Sequence, residues 1–253
     1  MPFPFRMTYV GHSTAVIELD GIRILTDPLL RGRVGFLRRA HPPAEPPAER
    51  GAFDAILISH AHADHLDPGS LRRIDPSTHV VVPPGAARIV RRAGLRTVEE
   101  LEIGASTRIG SLDIGATPAL HSGFRPPFGP RSTSIGFLLT GSRRLYFAGD
   151  TDLFPGMGAL ADELDVALLP IWGWGPTLGH GHLDPLRAAQ ALTLLRPRLA
   201  VPIHWGTLRP IGLRPRPRNA SDPAAAFLRH AAELAPEVEV RVVPVGTSTD
   251  LAS

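Results

Sequence analysis

Residues 60–65 read His-Ala-His-Ala-Asp-His, three imidazoles and one carboxylate within six positions. They follow an apolar run, Ala55-Ile56-Leu57-Ile58, whose length fits a short buried strand. A loop leaving the end of such a strand can turn His60, His62, Asp64 and His65 towards one point. An ordinary solvated loop has little use for four such groups. Histidine is the commonest metal ligand, and aspartate suits a hard, hydroxide-bearing site.

Three later residues share that context. His121 follows the apolar segment 112–117, Asp150 ends Leu145-Tyr146-Phe147-Ala148-Gly149, and His204 ends Val201-Pro202-Ile203. Parallel and mixed sheets place their sites at strand ends, so a sheet can bring these residues beside the first cluster. The chain has no cysteine, which excludes disulfides, thiolate catalysis and sulfur-ligated metal. Any ion must be held by imidazole and carboxylate.

The rest of the pattern is β-rich with helices interspersed. Residues 8–19 alternate loosely and read as one strand, and Asp20-Gly21 is a two-residue hairpin signal leading into Ile22-Arg23-Ile24-Leu25. Further strands are expected at 80–82, 107–109, 112–117, 135–139, 145–148, 166–169, 200–203 and 238–243. Thr140-Gly141 signals a second hairpin. A helix over 86–93 stops at Gly94. Another opens at Asp184-Pro185, with Asp as cap and Pro at the first helical position, and a third covers 223–234. The Arg- and Pro-rich stretches 31–50 and 206–222 read as surface loops. No linker divides the chain, so one α/β domain over 1–253 is expected, sheets inside and helices outside.

All 27 basic residues are Arg, yet the formal net charge is only +3. Nucleic-acid binding usually shows clustered positive charge, so no nucleic-acid partner is expected. There is no run of eighteen or more apolar residues and hence no transmembrane candidate. Met1-Pro2-Phe3-Pro4-Phe5-Arg6 lacks the layout of a secretory signal. The expected location is cytoplasmic.

The chain resembles the metallo-β-lactamase-fold hydrolases, within them the branch of N-acylphosphatidylethanolamine phospholipase D-like and ascorbate-6-phosphate lactonase-like proteins. The likeness runs from Gly11-His12-Ser13-Thr14 through Leu25-Thr26-Asp27-Pro28, the 59–65 motif, Gly149-Asp150-Thr151 and His182-Leu183-Asp184-Pro185 to Pro202-Ile203-His204-Trp205-Gly206-Thr207. It implies a four-layer αββα sandwich with two divalent ions along one sheet edge. His60, His62 and His121 would hold one ion, Asp64, His65 and His204 the other, and Asp150 would bridge them. Two ions about 3.5–4 Å apart can share a hydroxide and polarise a substrate oxygen. Zinc is the expected metal, and manganese and iron also suit an all-nitrogen-and-oxygen site.

Asp64, Asp150 and His182 are the residues expected to carry the chemistry. The resemblance puts His182 at the substrate as a hydrogen-bond or proton donor, with His180 as its competitor. Asp27 and His12 read either as supports that orient ligands or as ordinary turn residues. Arg209, Arg214, Arg216 and Arg218 form either a solvated loop or an anion clamp. Trp172, Trp174 and Phe124 either line an apolar pocket or pack. The expected reaction is hydrolysis of a phosphodiester or a lactone, acting on a small-molecule or lipid-like substrate. A nuclease, a di-iron oxidoreductase and a non-catalytic binding module are the competing classes. The first lacks room for an added nucleic-acid-binding domain, and the second generally carries Glu where this chain has His62. The resemblance is compatible with a homo-oligomer such as a dimer, which no residue in the sequence requires.

Overall fold

The computed structural model of the protein describes residues 3–40, 53–124, 129–212 and 222–252. The first half of the chain forms β1 (Arg6–Gly11), β2 (Thr14–Leu19), β3 (Ile22–Thr26), β4 (Arg33–Val34), β5 (Leu37–Arg39), β6 (Ala55–Leu57), α1 (Pro68–Leu71), β7 (His79–Val82), α2 (Ala87–Arg92) and β8 (Val98–Glu100). The second half forms β9 (Ser106–Ile109), β10 (Leu112–Pro118), β11 (Ile135–Thr140), β12 (Arg144–Phe147), β13 (Val166–Pro170), α3 (Pro185–Leu195), β14 (Leu199–Ile203), β15 (Leu208–Pro210), α4 (Pro223–Leu234), β16 (Glu239–Val240) and β17 (Ser248–Asp250).

Two seven-stranded sheets face each other, in the orders β17-β1-β2-β3-β6-β7-β8 and β16-β14-β13-β12-β11-β10-β9. Each is antiparallel at one end and parallel at the other. The parallel parts explain the uninterrupted apolar runs, because strands covered on both faces have no polar side. In β7, Val81 points into the core between the sheets while Val80 and Val82 point outward under α2. In β13, Val166 and Leu168 face inward, and Ala167 and Leu169 face α3 and α4. Each large side chain fully buried this way stabilises the fold by roughly 1.5–3 kcal/mol. The result is the αββα sandwich of the metallo-β-lactamase fold. No helix among the described residues is long and apolar enough to cross a membrane.

The helix starts follow the sequence closely. Asp184 accepts a hydrogen bond from the Arg187 amide at 2.8 Å, and Asp222 accepts one from the Ala224 amide at 2.9 Å, each just before a proline. Several elements depart from the pattern, among them α1 and β8, which the sequence did not announce. Residues 8–19 lie in two strands rather than one, because Gly11 (φ +116°) and His12 (φ +59°) reverse the chain between β1 and β2. The stretches 31–50 and 206–222 contain β4, β5 and β15, which form a third sheet, β15-β5-β4. Their strands are too short to show an alternation. Of 238–243, only Glu239–Val240 is a strand. The last strand is β17, which pairs with β1.

Candidate metal centre

Every residue of the sequence cluster arrives from a strand end. His60 and the turn bearing His62, Asp64 and His65 follow β6, His121 follows β10, Asp150 follows β12 and His204 follows β14. The turn closes on itself, with the His65 and Leu66 amides donating to the His62 carbonyl at 3.0 and 2.8 Å. His60, His62, Asp64, His65, Asp150 and His204 are all buried. Their ligand atoms fall into groups that could hold metal: His60, His62 and His121 in one, and Asp64, His65 and His204, joined by His12, in another. Asp150 lies between them, its Oδ1 3.1 Å from His204 Nε2 and its Oδ2 3.3 Å from His65 Nε2 and 3.9 Å from the Nε2 atoms of His60 and His121.

The hydrogen bonds on the outer side of each ring fix which nitrogen faces inward. His65 Nδ1 donates to Asp27 Oδ2 at 2.7 Å and His204 Nδ1 to the Trp172 carbonyl at 2.7 Å. In the neutral rings both protons are committed outward, so the two Nε2 lone pairs face each other at 3.1 Å. His121 Nδ1 donates to the Gly181 carbonyl at 2.8 Å, which turns its Nε2 lone pair towards His62 Nδ1 at 3.1 Å. Two opposed lone pairs, as at His65 and His204, repel unless a cation lies among them. The buried Asp150 oxygens lie among imidazole nitrogens without a well-aligned hydrogen bond to any of them among the described residues, and a buried carboxylate that is not fully hydrogen-bonded is costly. The residues therefore fit metal ions, and they fit few other groups.

Supporting contacts are dense. Ser59 donates through its amide and hydroxyl to Asp27 at 2.7 and 2.6 Å, and its Oγ lies 3.0 Å from His60 Nδ1. His12 Nε2 lies 3.2 Å from Asp64 Oδ2, and its ring lies tilted against that of His204 with centroids 3.9 Å apart. Of the two readings of Asp27 and His12, the supporting one matches the geometry, although His12 meets a carboxylate rather than an imidazole. Backbone strain gathers here too: among the described residues only six non-glycine positions have positive φ, and His12, Asp27 and His204 are three of them. At Gly149 (φ +61°) an added Cβ would stand 2.6 Å from Ser59 Cβ, so only glycine lets the two loops close.

The electrostatics follow from burial and from one carboxylate. Burial lowers the pKa of His12, His60, His121 and His204, those of His60 and His204 well below the usual imidazole range. Burial would lower His65 as well, but Asp150 and Asp27 flank it and raise it well above that range. Asp150 is held well below the carboxylate range, because His204 and His65 outweigh its burial. His60, His121 and His204, held neutral beside an ionised Asp150, are in the protonation states that bind metal, and an ion at His65 would take the place of its inner proton.

His182 stands at the rim, with Nε2 3.4 Å from Asp150 Oδ2 and Nδ1 3.1 Å from the Gly179 carbonyl. The side chain of His180 is exposed, and its carbonyl helps to hold the His182 ring at 3.2 Å. Trp172 serves the site through its backbone carbonyl, while Trp174 packs beside Leu29, Val34, Leu37 and Leu208. Phe124 lies under Arg131. Arg209 belongs to β15, and Arg214, Arg216 and Arg218 lie outside the described residues. The sequence did not reveal the roles of Ser59 or of the Gly181 and Trp172 carbonyls. Backbone acceptors carry no side-chain signal, and a lone serine carries too little.

The sequence profile of the beta-lactamase superfamily domain matches residues 22–205. A metal-dependent hydrolase of Methanopyrus kandleri is 32% identical over 96% of this chain and 98% of its own length. The N-acyl-phosphatidylethanolamine-hydrolyzing phospholipase D 1 of Caenorhabditis elegans is 31% identical over 79% of this chain and 63% of its own. Among solved structures, a metallo hydrolase from the archaeon Ignicoccus hospitalis superposes with a TM-score of 0.73 at 26% identity, covering 96% of this chain and 97% of that one. Fold, strand-end cluster and relatives agree: this chain belongs to the metallo-β-lactamase superfamily.

Proposed function

We propose that the protein is a dinuclear metal-dependent hydrolase that cleaves a phosphodiester or, as the second choice, a lactone or other ester. The observation that carries this reading is the inward-facing set of imidazole lone pairs around the unsatisfied carboxylate of Asp150. His60, His62 and His121 would hold one ion, Asp64, His65 and His204 the other, and Asp150 would bridge them. Such a pair, most simply zinc, supplies Lewis acidity and an acidified water. The chain does the positioning. Asp27 and the Trp172 and Gly181 carbonyls fix the ring tautomers, and His12 steadies Asp64. His182, at the accessible rim, donates a hydrogen bond or proton to the oxygen that gains charge as the ester bond breaks.

A phosphodiester is placed first because the Caenorhabditis elegans relative is named for hydrolysing a phospholipid. The test is a panel of chromogenic bis-phosphodiesters and lactones assayed before and after chelation, with His182→Ala beside the parent. Chelator-sensitive turnover, lowered on the order of 10²-fold in His182→Ala with bound metal unchanged, supports the assignment. Loss of metal from His182→Ala would move that residue into the ligand set. Chelator-insensitive hydrolysis would overturn the reading.

A further inference from the structure

The small third sheet carries an arrangement that the metal centre does not use. Arg33 of β4 pairs with Arg38 of β5, and Arg38 pairs with Arg209 of β15. Directly paired residues project from the same face, so three arginines form one row across three strands, at about 4.8 Å per strand step. The opposite face holds Val34, Leu37, Arg39 and Leu208, all buried. Like charges directly opposite one another across strands destabilise a sheet. Among the described residues no carboxylate pairs with any of the three, and Arg33 spends its Nε on the Gly35 carbonyl of its own turn.

The row has an apolar border. Phe36, at the tip of the β4–β5 turn, is 57% exposed, and Ile211, just past β15, is 47% exposed. The Ile211 amide donates to the Phe36 carbonyl at 2.9 Å, which holds the two together. Trp174 meets Phe36 edge-on, with centroids 5.3 Å apart, and the carbonyl of Trp172 two residues earlier accepts the hydrogen bond from His204 Nδ1. The patch thus lies on the same side of the molecule as the metal centre.

We infer that the β15-β5-β4 sheet docks on an anionic lipid bilayer, its Arg33-Arg38-Arg209 row meeting headgroup phosphates while Phe36 and Ile211 enter the boundary between headgroups and acyl chains. The shape selects this partner. A single small anion is held by donors converging in a concavity, whereas these guanidinium groups stand in line on an outward sheet face. A nucleic-acid duplex would satisfy the row and leave Phe36 and Ile211 in water, and a single strand could stack on Phe36 but would leave Ile211 without a partner. A bilayer satisfies both charge and apolar border. The inference is independent of which ester the metal centre cleaves.

The test is co-sedimentation of the full chain with vesicles of phosphatidylcholine alone and of phosphatidylcholine with phosphatidylglycerol. The protein partitions onto the anionic vesicles and not the zwitterionic ones, and added salt releases it. Arg38→Gln weakens partition about fivefold, the equivalent of about 1 kcal/mol for one basic residue at a charged surface. Phe36→Ser weakens it about tenfold. Arg38→Gln also keeps or raises Tm, because it removes a like-charge contact, and it leaves turnover of a soluble ester unchanged. Absent or lipid-insensitive binding would overturn the inference. So would partition that ignores Arg38→Gln, a lowered Tm in that variant, or displacement of the protein from vesicles by a stoichiometric oligonucleotide.

Discussion

Two clusters of ionisable side chains sit at opposite edges of the sandwich, and they solve the problem of charge differently. At the amino-terminal ends of β12, β13 and β14, Arg143, Arg144, Asp165, Arg196 and Arg198 border a cavity of about 780 Å³. There the charges answer one another: Asp165 meets Arg143 at 3.0 Å and Arg198 at 3.4 Å, and Arg144 meets Asp162 at 2.9 Å. At the opposite edge, near the carboxy-terminal ends of those strands, five imidazoles and two carboxylates are gathered, all but His121 buried, and the outer hydrogen bonds of His65, His121 and His204 turn their inner nitrogens towards the group. The first cluster closes within the protein and is partly exposed, so its pairs add little. The second closes only around a ligand. Density of charged groups does not mark a site; buried groups whose bonding is incomplete do.

Substitutions at the two edges should differ accordingly. Asp150→Ala removes the one carboxylate common to both halves of the centre. Hydrolysis should fall on the order of 10³-fold, about 4 kcal/mol of lost transition-state stabilisation, with bound metal reduced. Steady-state kinetics beside elemental analysis checks this, and parent-level turnover would erase the contrast between the edges. Asp27→Asn leaves all ligands in place but weakens the hold on His65 Nδ1, so metal affinity or turnover should drop about 10–100-fold, read by competition with a chromogenic chelator.

Gly149→Ala tests the close approach behind the centre. With a positive φ and Ser59 Cβ at 2.6 Å, urea unfolding should show a loss of about 1–3 kcal/mol. A neutral result would mean that the loops can part without harm. Arg198→Gln at the far edge, where the arginine side chain is 60% exposed, should change stability by less than about 1 kcal/mol and leave metal content and turnover untouched. An effect on catalysis there would show the edges to be coupled.

The sequence made the metal-centre edge legible and the third sheet illegible, for physical reasons. Candidate ligands at strand ends announce themselves because the apolar run before each one fixes where the strand stops, as at Ile58 before His60 and Ile203 before His204. Helix starts were equally clear at Asp184-Pro185 and Asp222-Pro223, where cap and proline act locally. β4, β5 and β15 span two or three residues each, too few to show a period, and their pairing depends on neighbours far along the chain. The hairpin at Gly11-His12 was hidden because its loose alternation continues across the turn. The outer supports of the rings were hidden because most are backbone carbonyls, which every residue possesses.

The central claim is that the lone pairs converging on Asp150 bind two ions. Elemental mass spectrometry on the purified chain, as isolated and after incubation with zinc or manganese, measures this directly. The account requires about two ions per chain in the parent and a clear deficit in Asp150→Ala. A parent that carries no metal and takes up none would contradict it, leaving the fold with a buried cluster that does not bind the ions its geometry fits.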